Sequence, residues 1–276
     1  VQAWWRQRWL WVAAGVMTTL LAAVPPAEAH VIVRPARIEA TVADGALLPP
    51  IEVSNRGDAP VRIVAYTGWG GHDLSGQAQL RDDPAAREAG SRLLRLANDE
   101  LYLAPGDSGR FTATVHVPEG FTGGLYPVIF LEVHPVDPGS SEGVQAIGRV
   151  AVLTLLTSGG APDVQAEEAE VRPGRAAGTV EVAVRVRNAG SVHGLAAGSV
   201  TISDASGVPL ARIPLTAGTV LPGHARELTA LWLPPVAAMG PYVATVNMDA
   251  PAEQPPLQVV FTVEAAPAVA GAGGLG

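Results

Sequence analysis

The chain has no cysteine and no lysine. The first absence excludes disulfides, thiolate metal sites and cysteine nucleophiles, so stability must come from apolar burial in units of about a hundred residues or more. The second leaves arginine as the only strong cation: 18 Arg stand against 26 Asp and Glu, a net charge of -8. No basic cluster follows the first ten positions, so nucleic acid is not an expected partner. Charged residues are few, 16% against 48% apolar, which suits filled cores in 276 residues and not a multi-pass membrane protein. Helical periodicity is also scarce, and no long stretch repeats its apolar groups every 3.6 residues.

Glycine and proline are plentiful, 31 and 24, and are dispersed between apolar runs, the pattern of many short strands joined by tight turns. Val180, Val182, Val184 and Val186 alternate with Glu181, Ala183, Arg185 and Arg187, and Phe111, Ala113, Val115 and Val117 alternate with Thr112, Thr114 and His116. A period of two puts the apolar set on one face of a strand. The best helical candidate is short and opens at Asp83-Pro84, where Asp can cap and Pro suits the first turn.

An export leader is expected over residues 1–29, with Arg6 and Arg8 as its charged start, Trp9 to Val24 as its apolar stretch and Ala27-Glu28-Ala29 as its cleavage site. Cleavage leaves His30 first and no stable membrane span. This predicts an extracytoplasmic location, in the periplasm, secreted or at the cell surface. Ala265 to Gly276 reads as a flexible tail.

An internal repeat organises the rest. Leu103-Ala104-Pro105-Gly106, Phe111-Thr112-Ala113 and Pro118 return at the same spacing from the first Pro as Leu221-Pro222-Gly223, Leu228-Thr229-Ala230 and Pro235. Each copy runs on to Gly-x-Tyr, at Gly124-Leu125-Tyr126 and Gly240-Pro241-Tyr242. Upstream, Val53-Ser54-Asn55-Arg56-Gly57 answers Val186-Arg187-Asn188-Ala189-Gly190, each a strand ending in an Asn-x-Gly turn. In a sandwich the Pro-Gly makes the turn into one strand, and the Tyr packs at the sheet corner with its hydroxyl tied to the backbone.

The expected fold is therefore all-β: two immunoglobulin-like β-sandwich domains in tandem after the leader, over 30–157 and 163–264, joined by a linker at 158–162. From Asn to Pro-Gly the first copy has 50 residues and the second 34, which predicts an irregular insert over Gly68 to Gly90. Val144 to Leu156 is apolar on both faces. It reads either as a central strand covered on both sides or as an edge strand that pairs with a partner.

The opening strand, Arg34-Pro35-Ala36-Arg37-Ile38, and the run Leu125 to Pro135, closing in Glu132-Val133-His134-Pro135, resemble the PapD-like periplasmic chaperones of pilus assembly. An alternating strand carrying Arg149 follows, as in that family. The resemblance implies that Arg37 and Arg149 bind the C-terminal carboxylate of a subunit and that the last strand of the first domain supplies a strand the subunit lacks. Val144, Ala146, Ile147, Val150 and Val152 are then the partner-facing residues. Converging cations would give charge-assisted bonds to the carboxylate, and the backbone ladder sequence-tolerant affinity. The second domain, from Val186 to Asp204, resembles the Ig-like modules of WxL-interacting Gram-positive surface proteins.

No catalytic residue, metal site or cofactor is expected. The six histidines are scattered without ligand spacing, and the one copper-binding option, an amino-terminal His30, needs a second His nearby. Ser75, His72 and Asp73 cluster without a nucleophile elbow and read as loop formers; Trp69 and its neighbouring glycines read as a loop Trp packed on its own sheet, with a ligand-facing loop as the alternative. Arg56-Gly57-Asp58 reads as a turn. Two functions fit: a chaperone-like protein that captures an extended polypeptide or surface subunit in a basic cleft, or a structural envelope module that binds a wall polymer or another surface protein.

Overall fold

A computed structural model of the chain describes residues 30–136, 147–235, 240–249 and 254–263. The expected leader, the tail, and Val144 and Ala146 of the two-faced strand lie outside the described residues. Among those described, no helix is long and apolar enough to cross a membrane.

The first half begins with β1 (Val31–Arg34), β2 (Arg37–Thr41), β3 (Ile51–Asn55), β4 (Val61–His72) and β5 (Ala78–Arg81), then α1 (Pro84–Leu93). It continues with β6 (Leu94–Leu96), β7 (Glu100–Leu103), β8 (Ser108–Phe111), β9 (Ala113–Val115), β10 (Gly123–Leu125), β11 (Pro127–Pro135) and β12 (Gly148–Ser158). The second half is β13 (Val164–Pro173), β14 (Val180–Asn188), β15 (Gly194–Ala196), β16 (Gly198–Asp204) and β17 (Pro209–Pro214), followed by β18 (Gly218–Val220), β19 (Ala225–Trp232), β20 (Gly240–Met248) and β21 (Leu257–Val263). The fold is all-β, with one short helix among the described residues, and forms two β-sandwiches.

In the first sandwich, β1-β3-β8 faces a larger sheet ordered β10-β12-β11-β4-β5, with β2 added to β12 and β7 to β4. Val53, Ile63, Phe111, Ile129, Leu131 and Val152 fill the space between them and are almost wholly buried. The second sandwich stacks β13-β14-β19 on β17-β16-β20-β21, and its separate core holds Val182, Val184, Val186, Ile202 and Leu228. Each buried Val, Ile, Leu or Phe contributes about 1.5–3 kcal/mol, the only source large enough to replace the missing disulfides. The valine stripe of β14 behaves as its period requires: Val182, Val184 and Val186 are buried, and Arg185 and Arg187 are exposed.

The repeated Asn-x-Gly and Pro-Gly turns are fastened together by the asparagine itself. Asn55 is fully buried; its Nδ2 donates to the carbonyls of Ala59 (2.8 Å) and Leu103 (3.2 Å), and its Oδ1 accepts from Gly57 N (3.0 Å). Asn188 repeats the set: Nδ2 to Val192 O (2.8 Å) and Val220 O (2.9 Å), with Oδ1 accepting from Gly190 N (2.9 Å). Gly106 and Gly223 complete the match, each with positive φ and each donating its N–H to the carbonyl of the corresponding Asn. A buried amide with every hydrogen bond made holds two turns in register, and Asp, Ser or Leu could not supply the same donors and acceptor.

The segment Gly68 to Gly90 is not the irregular insert that its glycines suggest. β4 runs unbroken to His72, turns through Asp73–Gln77 and returns as β5; α1 then packs against β4, with Leu93 reaching the first core. Asp83 caps the helix as expected, accepting from Ala86 N at 3.1 Å. Ala86, Gly90 and Leu93 are its buried side. A Cβ on Gly90 would come within 2.6 Å of the Gly68 carbonyl, so the glycines mark a close backbone approach and not a loop.

Candidate functional site

Strand β12 is an edge along one part of its length and a central strand along the rest. Residues 148–153 pair with β11 on one side; residues 153–157 pair with β2 on the other. Leu153 N–H donates to Ala36 O on the β2 side. Backbone groups alternate with period two, so the N–H and C=O of Arg149 and Ala151 point to that same side, where no strand among the described residues meets them. Both readings of this strand therefore apply, to different stretches of it. Val152 is fully buried in the first core, Val150 is half-buried beside it, and Ile147 is exposed just before the open edge.

The other face of β12 leads into a cleft between the sandwiches. Leu153 and Leu155 pack there with Tyr126 and with Leu221 of the second sandwich. A cavity of about 410 Å³ opens against this cluster, and the residues lining it include Arg37 and Arg226 but no Asp or Glu. The two guanidinium groups meet at one residue: Arg37 Nη2 donates to Thr219 Oγ1 (3.3 Å) and Arg226 Nη1 to the Thr219 carbonyl (3.2 Å). Arg37 also pairs with Glu39 at 2.7 Å. Arg226 has no carboxylate partner among the described residues, and its buried Nε has no hydrogen bond. A desolvated cation with an unused donor favours an anion that can reach it.

Arg149 is not part of this cavity. Its register partner on β11 is Glu132, and Arg37 sits beside Leu153, four residues or roughly 13 Å further along β12. Both arginines project from the same face of the sheet, but the structure does not bring them together. Arg149 pairs instead with Asp82 at 2.7 Å, its guanidinium 5.0 Å from the Phe130 ring centre. Tyr66 closes that group by donating to Glu132 at 2.7 Å, and burial raises the phenol above its ordinary pKa.

Further hydrogen bonds join the sandwiches at both ends of the interface, among them Gly124 N–H to Ser191 O at 2.9 Å. Tyr126 OH accepts from His193 N–H at 2.7 Å, and His193 Nε2 lies 2.9 Å from Glu39. The corner tyrosine thus ties to the backbone of the other sandwich, not its own, and burial pushes its pKa up to about 12. At the other end the β4–β5 hairpin docks on the second sandwich: Leu74 O accepts from Glu227 N at 2.7 Å and His72 Nε2 from Leu221 N at 3.1 Å.

No family model and no curated protein matches the sequence. The chain is similar to fimbrial chaperones of known structure. These are the family that the opening strand and the Leu125–Pro135 run resemble. One, the class 5 fimbriae chaperone CfaA, is 11% identical with a TM-score of 0.46, over 84% of this chain and 98% of that chain. Another is the CsuC–CsuE chaperone–tip subunit pre-assembly complex of Acinetobacter baumannii, 10% identical with a TM-score of 0.43 over 84% and 98%. The SafB chaperone with the SafA pilin of Salmonella enterica is 12% identical, with a TM-score of 0.42 over 85% and 97%.

Arg226, Thr219 and Leu221 are site residues that the sequence reading passes over, although one signal is there to be read. Along β19 the core positions are Leu228, Ala230 and Trp232, and Arg226 shares their parity. A charge on the core side of a strand is either paired or at the end of the sheet, facing an opening. Thr219 and Leu221 carry no such mark; they matter only because the second sandwich turns that edge toward the first.

Proposed function

We propose that this protein is an extracytoplasmic, chaperone-like binder of extended polypeptide, which adds a strand of its client to the open edge of β12 and holds the client's carboxylate in the cleft. The observation that carries the reading is the edge itself: the N–H and C=O groups of Arg149 and Ala151 have no described partner, on a strand otherwise built into the core. Val150 and Val152, with Val144 and Ala146 before them in the sequence, are the apolar alternation that a client strand would meet, and Ile147, of the opposite parity, is exposed just before the open edge. Arg37 serves the carboxylate together with Arg226, the cation that shares its cavity, while Arg149, already paired with Asp82, steadies the strand beside the edge. The domain limits 30–157 and 163–264 fit this reading, with the cleft between them as the seat of the client's end.

The test uses backbone chemistry. Proline at position 151 removes an N–H that points to the open edge, so Ala151→Pro should leave the fold intact by circular dichroism while abolishing pull-down of co-expressed secreted subunits. Proline at Val150, whose N–H faces β11, should instead unfold the sheet. Arg37→Ala with Arg226→Ala should weaken an extended client peptide at least tenfold, and amidating the peptide's C-terminus should remove that difference. Undiminished capture by Ala151→Pro would sink strand addition.

A further inference from the structure

The hydrogen bonds around His72 fix the state of its ring. Nδ1 lies 2.8 Å from the Asp73 carbonyl, which can only accept, and Nε2 lies 3.1 Å from the Leu221 N–H, which can only donate. Nδ1 therefore carries the proton, and Nε2 receives the bond that crosses from the second sandwich. A second proton would point an N–H at an N–H, turning the contact from attractive to repulsive.

The surroundings offer that proton little compensation. His224, from the turn before β19, stands 5.0 Å from His72 between ring centres, and Arg226 of β19 is beside it. Arg37 of β2 lines the same cavity. Asp73, on the hairpin itself, has its carboxylate engaged by Ser75, Gln77 and Gln79. The hairpin tip has one more tie, Glu227 N–H to Leu74 O, and Gly76 is pressed against the Arg226 guanidinium, where a Cβ would collide with it.

We propose that the β4–β5 hairpin is an acid-released latch between the two sandwiches, docked while His72 is neutral and freed when it takes a second proton. Burial first, then the neighbouring His224 and Arg226, holds the His72 pKa below the ordinary histidine value. A lowered folded-state pKa means that the latch contributes fully above the unfolded value of about 6.5 and is lost as pH falls through the folded value. At the opposite end of the interface the His193 hydrogen bond is the first cause that holds the Glu39 carboxylate below its usual range, so that contact keeps its ionised partner down to a pH below the ordinary carboxylate value. Release of the hairpin leaves the ties at Tyr126, Gly124 and Glu39, about which the sandwiches swing to open the cleft from the hairpin side. The latch follows from the contacts between the sandwiches alone and stands whether or not a client strand binds at β12.

Amide hydrogen exchange of the whole mature chain, corrected for intrinsic rates, tests this. Between pH 8 and pH 5, protection of the Leu221 and Glu227 amides should fall at least tenfold, with a midpoint below about 6.5, while the Val184 amide in the second core keeps its protection. The His72 ring titration followed by NMR should coincide with that midpoint. His72→Gln, whose side-chain oxygen can accept from Leu221 but cannot be protonated there, should remove the pH response. Unchanged protection in the native chain, a ring titration displaced from the loss of protection, or a His72→Gln variant that still opens with acid would each overturn the latch.

Discussion

Replacing Asn188 by alanine should destabilise the second sandwich more than the equivalent change at Asn55 destabilises the first. Asn188 makes four hydrogen bonds from a fully buried position: to Val192 O, to Val220 O, from Gly190 N, and from Asp163 N at 3.1 Å. Asn55 makes three. At about 1 kcal/mol net per bond the losses are about 4 and about 3 kcal/mol, a large part of the 5–15 kcal/mol that typically holds a domain. Urea unfolding of residues 30–276 reads each sandwich separately, because that stretch has two tryptophans, Trp69 against the first core and Trp232 in the second. In a Trp69→Phe background, with a slope of about 1 kcal/mol per molar urea, Asn188→Ala should lower the Trp232 midpoint by about 4 M. A loss below about 1.5 kcal/mol would refute the view that this amide fastens the two turns.

Gly90→Ala should run against helix propensity. Alanine normally gains about 1 kcal/mol over glycine inside a helix, but here its Cβ meets the Gly68 carbonyl, so thermal unfolding should show a loss of about 1–3 kcal/mol. Glu39→Gln should weaken the tie to His193 only modestly, by under about 1 kcal/mol, since the carboxylate is half-exposed. Its folded pKa is depressed, so the contribution is present above the unfolded carboxylate value and lost as pH falls through the folded one; the variant should therefore converge with the native chain in stability below about pH 4.

The features legible in the sequence were those written in local period. The valine stripes, the helix cap at Asp83 and the paired Asn-x-Gly and Pro-Gly turns each depend on neighbours within a few residues, and each appears in the structure. The stretch around Gly68 to Gly90 misleads because glycine carries two meanings: freedom to turn, and absence of bulk where a second backbone lies close. Only the position of α1 distinguishes them. Of the candidate cleft, the sequence reading named one lining arginine. Arg37 is in the cleft, but Arg149 lies about four residues along β12, where Asp82 and Phe130 hold it. The second cleft cation comes from β19, more than 180 residues beyond Arg37, a meeting that no spacing rule in one sandwich can foresee.

Strand β4 begins beside Leu103 deep in the first sandwich and ends, twelve residues on, with its tip against Leu221. Severing the chain after Ser158 would therefore not yield two self-sufficient halves. The amino-terminal piece would carry a projecting arm with Leu74 at its tip and the uncovered faces of Tyr126 and Leu155; the carboxy-terminal piece would keep Arg226 on Gly218 and Thr219 but without Gly76 of the arm against it. Fragments cut for study should be made by shortening the arm as well as the linker, or kept as one chain.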